Sequence, residues 1–370
     1  MTPVLKIMRG TCYAVMAYDI GAGVNLERAD AQIVANKKRG RFLRQRPVPQ
    51  YFDYHPPPLR VTQDVESFAI GGYATERMVE VVLYDFGAVS VIFRLSFQGE
   101  FSHFLPLSEA LYENVLLLEN SRLLVESILN TITGSVEKQA ISSFVEDYTI
   151  YHVEEWGPPL QADDLINEHK QEMAQILRCE REPLSEEEVL DSISSHISFG
   201  KHDLTVVDWN AALMFGSHME DVLAVLEFAN VELIERRILD EQLDKTLDHA
   251  YDVLSRRTWE HSLWPGSFRS DLRHISQLQV DSAILFERVT NTLKLLGDQY
   301  LARVYRLTSK RFHLQGWDTS ILRKLETTES IYEKLTDQTG NKRLEVLEWI
   351  IIILIAVSIL LPFIPGFPGY

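Results

Sequence analysis

LEVLEWIIIILIAVSILL, residues 344–361, is the stretch on which the reading of this chain turns. No charge follows Glu348, and Pro362, Phe363, Ile364 and Pro365 come directly after it. The block from Trp349 to Leu361 is apolar on every face, whereas a helix on the edge of a water-facing core is striped. A crossing helix needs about 20 apolar residues for a hydrocarbon core of about 30 Å. The block reaches only about 20 Å at 1.5 Å per residue, so the uncharged residues up to Tyr370 are expected to complete a short crossing or to lie among the far headgroups. On this reading Trp349, Ile350, Ile351, Ile352, Ile353, Leu354, Ile355, Leu360 and Leu361 form a single C-terminal membrane anchor. Trp349 and Tyr370 stand at the interfaces, and the basic pair Lys342 and Arg343 keeps the body on the cytoplasmic side. The competing reading packs the same block inside an oligomer.

Outward from the anchor, composition bounds the rest. A chain of 370 residues predicts more than one domain. The net charge is −17. Residues 1–160 hold 14 basic and 19 acidic side chains, residues 161–213 hold 4 and 12, and residues 214–348 hold 18 and 22. An acidic body is repelled by phosphate backbones unless it offers a local basic patch, and no DNA partner is expected. Two cysteines, Cys12 and Cys179, without metal-ligand spacing predict a reducing compartment and no disulfide framework. The first ten residues have no apolar run long enough for a signal peptide, so membrane delivery is assigned to the other end.

Residues 1–216 alternate strand and helix signals. Strands are predicted at 12–20, 77–85, 88–97, 144–153 and 204–215. Helices are predicted from Asn25, over 106–133, over 162–178 and over 185–198, the last opened by a Ser185 capping box. This pattern predicts a mixed sheet with helices, α+β or α/β: an N-terminal region over 1–160, completed by the acidic helices and last strand of 161–216. Beyond Gly216 the β signal ends. Helical stretches over 219–259, 268–312 and 319–361 carry a/d spacing, as in Leu239, Leu243, Leu247, Tyr251 and Leu254, which predicts a hairpin or coiled-coil stalk over 217–345 and the anchor over 346–370.

The helical run into Asn341-Lys342-Arg343-Leu344, followed by Leu347-Glu348-Trp349-Ile350-Ile351-Ile352-Ile353-Leu354-Ile355, resembles the required-for-meiotic-nuclear-division family, which has bacterial, fungal and mitochondrial members. The order of an α/β head, long helices and a terminal hydrophobic helix agrees over roughly residues 10–361. The resemblance implies a non-enzymatic membrane-bound protein, and in the mitochondrial branch a supporting role in translation as a ribosome tether or stabiliser.

The remaining motifs carry weaker chemistry. Lys37, Lys38, Arg39, Arg41, Arg44 and Arg46 put six cations into ten residues, with Phe42 among them and Tyr51, Phe52 and Tyr54 after. Cations with interleaved rings suit single-stranded RNA, and the same charges suit anionic lipid; the plain alternative is a solvated loop. Gly21-Ala22-Gly23 begins a phosphate-binding turn but lacks the third glycine, since Leu26 stands in its place. His196, His202, Asp203 and Asp208 cluster beside Trp209 without a helical ligand pair. Glu186 to Glu188 and Glu154-Glu155 read as cap and surface carboxylates, and no nucleophile signature is present. Trp264 and Trp317 mark the stalk bends and are candidates for a partner site. The expected function is a non-enzymatic membrane-anchored scaffold, homo-oligomeric through the stalk, that holds a protein or ribonucleoprotein partner, without catalytic, metal or cofactor residues. The alternative is a nucleotide- or RNA-handling enzyme with its pocket in the head, at the Gly21 turn and the His202/Asp203 cluster.

Overall fold

The structure is a computed structural model that describes residues 4–37, 42–43, 57–257 and 299–360, with separate helical positions between 273 and 283. In chain order the elements are β1 (Lys6–Asp19), β2 (Gly23–Val24), α1 (Leu26–Lys37), β3 (Phe42–Leu43), β4 (Leu59–Asp64), β5 (Ala69–Ile70), β6 (Tyr73–Ala74), β7 (Met78–Leu83), β8 (Ala88–Glu100), α2 (Phe104–Leu111), α3 (Val115–Thr131), β9 (Val136–Glu137) and β10 (Glu146–Gly157). They continue as α4 (Ala162–Arg178), α5 (Glu186–Ile193), β11 (His196–Ile197), β12 (Leu204–Val207), β13 (Ala211–Phe215), α6 (Glu220–Arg257), α7 (Gln299–Arg311) and α8 (Leu314–Leu360). The chain divides into two compact units, Met1–Ile238 with Leu285–Asp318, and Leu239–Ile284 with Thr319–Tyr370.

The first unit is α+β, built on a nine-stranded mixed sheet in the order β11-β12-β13-β10-β1-β8-β7-β4-β3. All its neighbours are antiparallel except β10 and β13. Alternation along the central strands sorts side chains onto two faces. On β1, Ala14, Met16 and Tyr18 face one core, together with Phe93 and Leu95 of β8 and Leu213 and Phe215 of β13. Val15, Ala17, Ile92, Ala212 and Met214 face the other. Helices α1 to α4 cover the first face with Ile33, Leu107, Val125, Ile128, Leu165 and Met173. Helices α6 and α7 cover the second with Val225, Leu226, Ala229, Leu301 and Val304.

Local chemistry explains where the elements start and stop. Asn25 caps α1, its Oδ1 accepting from Arg28 N at 2.9 Å. The helix expected over 106–133 is two helices, because Glu113 takes φ +46° and Asn114 caps the second through Leu117 N at 3.0 Å. The strand expected over 204–215 is a hairpin: Asp208 N bonds Ala211 O at 2.9 Å, and Asp208 Oδ1 accepts from Trp209 N at 2.8 Å. The bend expected at Gly316-Trp317-Asp318 lies earlier, at Phe312-His313, where His313 takes φ +53°.

Helix α6 carries charge into the second core. Glu227 accepts from Arg60 at 2.8 Å and from the Tyr84 hydroxyl at 3.0 Å, and Arg60 also meets Glu80 at 2.8 Å. Further along, Glu232 accepts from the Tyr305 hydroxyl of α7 and lies one turn from Arg236, which bonds Asp318 at 2.7 Å. A buried charge survives only with such partners.

The second unit contains helical residues of α6, α8 and the positions between 273 and 283. Leu239, Leu243 and Ala250 are buried on α6, and Ile321, Leu325, Thr328 and Tyr332 on α8. Lys324 joins Asp240 and Asp244 at 2.8 and 2.6 Å.

The membrane expectation does not hold. No helix among the described residues is long and apolar enough to cross a membrane. Trp349, Ile350, Ile351, Ile352, Ile353, Leu354 and Ile355 lie on α8, which ends at Leu360; Leu361 lies outside the described residues. The physical reason is length. Glu345 and Glu348 are part of the same helix, and the apolar remainder from Trp349 to Leu360 spans only about 18 Å against the ~30 Å of hydrocarbon. The structure therefore does not support the transmembrane helix, the tail anchor or the cytoplasm-facing membrane placement.

Burial pushes the Glu232 carboxyl up from its ordinary value of 4.5 to about 7, with Arg236 and the Tyr305 hydroxyl opposing. The folded chain then holds a proton that the unfolded chain has released. The stabilisation is complete below about pH 4.5 and is lost as pH rises towards 7. Urea unfolding of wild type and Glu232→Gln at pH 5 and pH 7.5 tests this. Wild type is expected to lose about 2 kcal/mol relative to the variant between the two pH values.

Candidate functional site

A cleft of about 290 Å³ opens where the start of β1 meets the end of β8 under α4, lined by Val4, Leu5, Glu100, Phe101, Ser102, Glu168, His169, Gln171 and Glu172. Sequence folds it locally. Lys6 pairs with Glu100 in the sheet, and Phe101 N donates to Leu5 O at 2.9 Å, which pins the turn after β8 against the strand entry. Helix α4 presents a buried stripe of Ala162, Leu165, His169, Met173, Ile176 and Leu177, so its core face passes directly over that turn.

His169 occupies an apolar position of this stripe and is only 4% exposed. Its Nδ1 lies 2.8 Å from Glu172 Oε2 one turn on, and its ring meets Phe101 edge-to-face at 6.2 Å. In the neutral ring Nδ1–H donates to the carboxylate, leaving the Nε2 lone pair. Nε2 is buried without a hydrogen-bond partner, as is Gln171 Nε2. Glu100 and Glu168 stand exposed at the rim. The cleft thus combines carboxylates, an orphaned imidazole nitrogen and the apolar walls of Leu5 and Phe101, and no Lys or Arg lines it. The sequence signal for this site is a histidine at the i, i+4, i+8 position between Leu165 and Met173, which a search for metal-ligand spacing passes over.

The residues singled out from sequence lie elsewhere and do not form one site. The Gly21 turn is closed: a Cβ there would sit 2.5 Å from Glu137 O, and Ala22 N and Val24 N already donate to Glu137 O and Asp85 O at 2.9 and 2.7 Å. Burial pushes the neighbouring Asp19 carboxyl up to about 7, opposed by the Gly21 N–H that it accepts. These engaged amides do not cradle a phosphate. Asp203 caps its own loop through Phe199 N and Gly200 N at 2.7 and 2.5 Å, and His196 Nδ1 contacts Ile193 O at 2.8 Å. His202 is exposed. Among the described residues no group of three or more His, Cys, Asp and Glu could hold a metal ion. Glu188 takes the Ser185 cap at 3.3 Å, and Glu154 and Glu155 pair with Arg9. Of the basic run, Lys37 ends α1, while Lys38, Arg39, Arg41, Arg44 and Arg46 lie outside the described residues, as does Trp264. Trp317 is half-buried in the first turn of α8.

Asp208 has a structural role. Its carboxylate is wholly buried and receives Arg178 Nε at 2.5 Å and Arg311 Nε at 2.8 Å. The same two guanidinium groups reach Asp191 at 2.6 and 2.8 Å, so α4, α5, α7 and the β12–β13 turn are tied together. Hydrogen bonds from Arg311 hold the Asp191 carboxyl below its usual range. Asp208→Ala leaves two half-buried cations without their shared partner. It is expected to cost about 3–5 kcal/mol in urea unfolding, against under about 1 kcal/mol for Glu188→Ala at the exposed end of the network.

The uncharacterized protein MJ0711 of Methanocaldococcus jannaschii is 27% identical over 248 residues, which is 64% of this chain and 72% of that protein. No solved structure matches. Residues 9–221 match the family model described as "Uncharacterized protein MJ0711, N-terminal domain", a span that starts within β1, takes in the elements from β2 to β13 and stops in the first turn of α6. With more than half of its length matched, the chain belongs to the MJ0711 N-terminal domain family.

Proposed function

We propose that the chain is a non-enzymatic scaffold that self-associates through α8 and presents its sheet unit to a protein or ribonucleoprotein partner. The observation that carries this is the run Trp349 to Ile355, in which every side chain is 47–65% exposed. Apolar patches beyond roughly 300–600 Å² are rare on soluble monomers and mark interaction surfaces. Half of seven such large side chains is on the order of 600 Å², so two copies burying it remove about 1,200 Å², the lower end of a specific interface. A second copy is the occupant that suits a helix apolar on all sides, because equivalent helices bury one another's faces in a bundle.

The resemblance to the required-for-meiotic-nuclear-division family favours a ribosomal partner, and Lys37, Lys38, Arg39, Arg41, Arg44 and Arg46 are the cations suited to it. Self-association would raise the local density of such contacts and with it the avidity for a large ribonucleoprotein. The engaged amides of the Gly21 turn and the self-capped Asp203 loop speak against the enzyme alternative.

Light scattering on the size-fractionated full-length chain is the test. Wild type is expected at a multiple of 42.6 kDa, and Ile351→Glu with Leu354→Glu at the monomer mass. A monomeric wild type overturns the proposal. So does a wild type that remains monomeric until neutral phosphatidylcholine vesicles are added and then partitions onto them.

A further inference from the structure

We propose that the cleft over His169 binds a small aliphatic primary ammonium ion. Three features of the cleft define the ligand independently of one another. First, His169 lines the cleft and holds an acceptor in search of a donor: Glu172 takes Nδ1–H at 2.8 Å, and Nε2 is buried without a partner. A buried polar atom without a partner asks for an explanation, and His169 Nε2 and Gln171 Nε2 are such atoms on residues that line the cleft. Second, Glu100, Glu168 and Glu172 line the cleft and no cationic side chain does, so the donor carries positive charge. An anion or a phosphate is excluded by the same three carboxylates. Third, Val4, Leu5 and Phe101 give the cleft apolar walls, and the Phe101 ring also packs on His169. Methylene groups suit those walls, and a ring face attracts a cation.

A divalent metal ion satisfies the charge but not the geometry. Among the described residues no three His, Cys, Asp or Glu side chains converge closely enough to hold one. An ammonium group needs no such convergence, since its three N–H donors take separate acceptors. Gln171 supplies a further polar contact: its Nε2 is buried without a partner, and the orientation of a side-chain amide is set by what it meets. A cleft of about 290 Å³ accommodates a chain of four or five carbons with an ammonium group at each end. One end would reach His169 and Glu172, and the other Glu100 or Glu168 at the rim.

The probe is putrescine, titrated into the full-length chain by calorimetry and followed by thermal unfolding, with sodium chloride at matched ionic strength. Wild type is expected to bind one equivalent saturably, with the midpoint of unfolding raised by about 3 °C at about ten times Kd. His169→Phe keeps a ring against Phe101 and removes the acceptor, and Glu172→Gln removes the charge; each is expected to lose at least about tenfold in affinity. Glu168→Gln, at the exposed rim, serves if either of those variants fails to fold and is expected to lose about threefold. Absence of a saturable heat in wild type overturns the proposal, as does equal stabilisation by magnesium ions or unchanged affinity in His169→Phe. Because the readout is binding to the first unit, it is independent of the oligomeric state tested above.

Discussion

The architecture depends on a sheet buried on both faces. Once β1, β8, β10 and β13 place apolar side chains above and below the plane, each face requires its own helical layer, since water tolerates neither. Helices α1 to α4 come from within and beside the strand sequence and meet the first face. The second face has to be closed by α6 and α7, which follow all thirteen strands. The sheet unit therefore cannot be separated from the start of the long helices: Val225, Leu226 and Ala229 belong to its core as fully as Val15 does.

Closing the second face in this way brings charge indoors. A long helix that must also continue into a second helical unit keeps polar residues along its length, and Glu227, Glu232 and Arg236 fall on the buried side. Each is met by a group from elsewhere: Arg60 from β4, Tyr84 from the β7–β8 turn, Tyr305 from α7, Asp318 from α8. The Asp208, Arg178, Arg311 and Asp191 network does the same at the far edge, where β12 and β13 turn. These networks contribute registry: an apolar helix face slides at little cost, but an ion pair buried at one position does not. His169, like Glu232, has one polar atom satisfied and the other not, and it differs in lining a cleft.

The apolar end of α8 poses a different problem. Its composition is that of a membrane segment and its length is not, so hydrophobicity and geometry point to different solvents. A helix exposed on every side from Trp349 to Ile355 gains as much from equivalent helices as from hydrocarbon, because both remove the same area from water.

Much of the fold was legible in the residues themselves. Runs rich in β-branched and aromatic residues mark β1, β7, β8 and β10, and the Asn25 and Ser185 caps mark the starts of α1 and α5, because backbone pairing and capping are short-range chemistry. The change from alternating elements to helices after Gly216 is likewise written in composition. Sequence by itself did not place the breaks at Glu113, Asp208 and His313, where local side-chain bonds and left-handed backbone override the apolar pattern. Nor did it reveal that Asp208 answers Arg178 and Arg311, residues 30 and 103 positions away. The candidate site belongs wholly to the tertiary level. Leu5, Phe101 and His169 are far apart in the chain, and only the antiparallel pairing of β1 with β8 beneath α4 brings them to one cleft. Propensity and capping act within a few residues and so can be read along a chain; a cleft is a property of surfaces that meet, and no single stretch contains it.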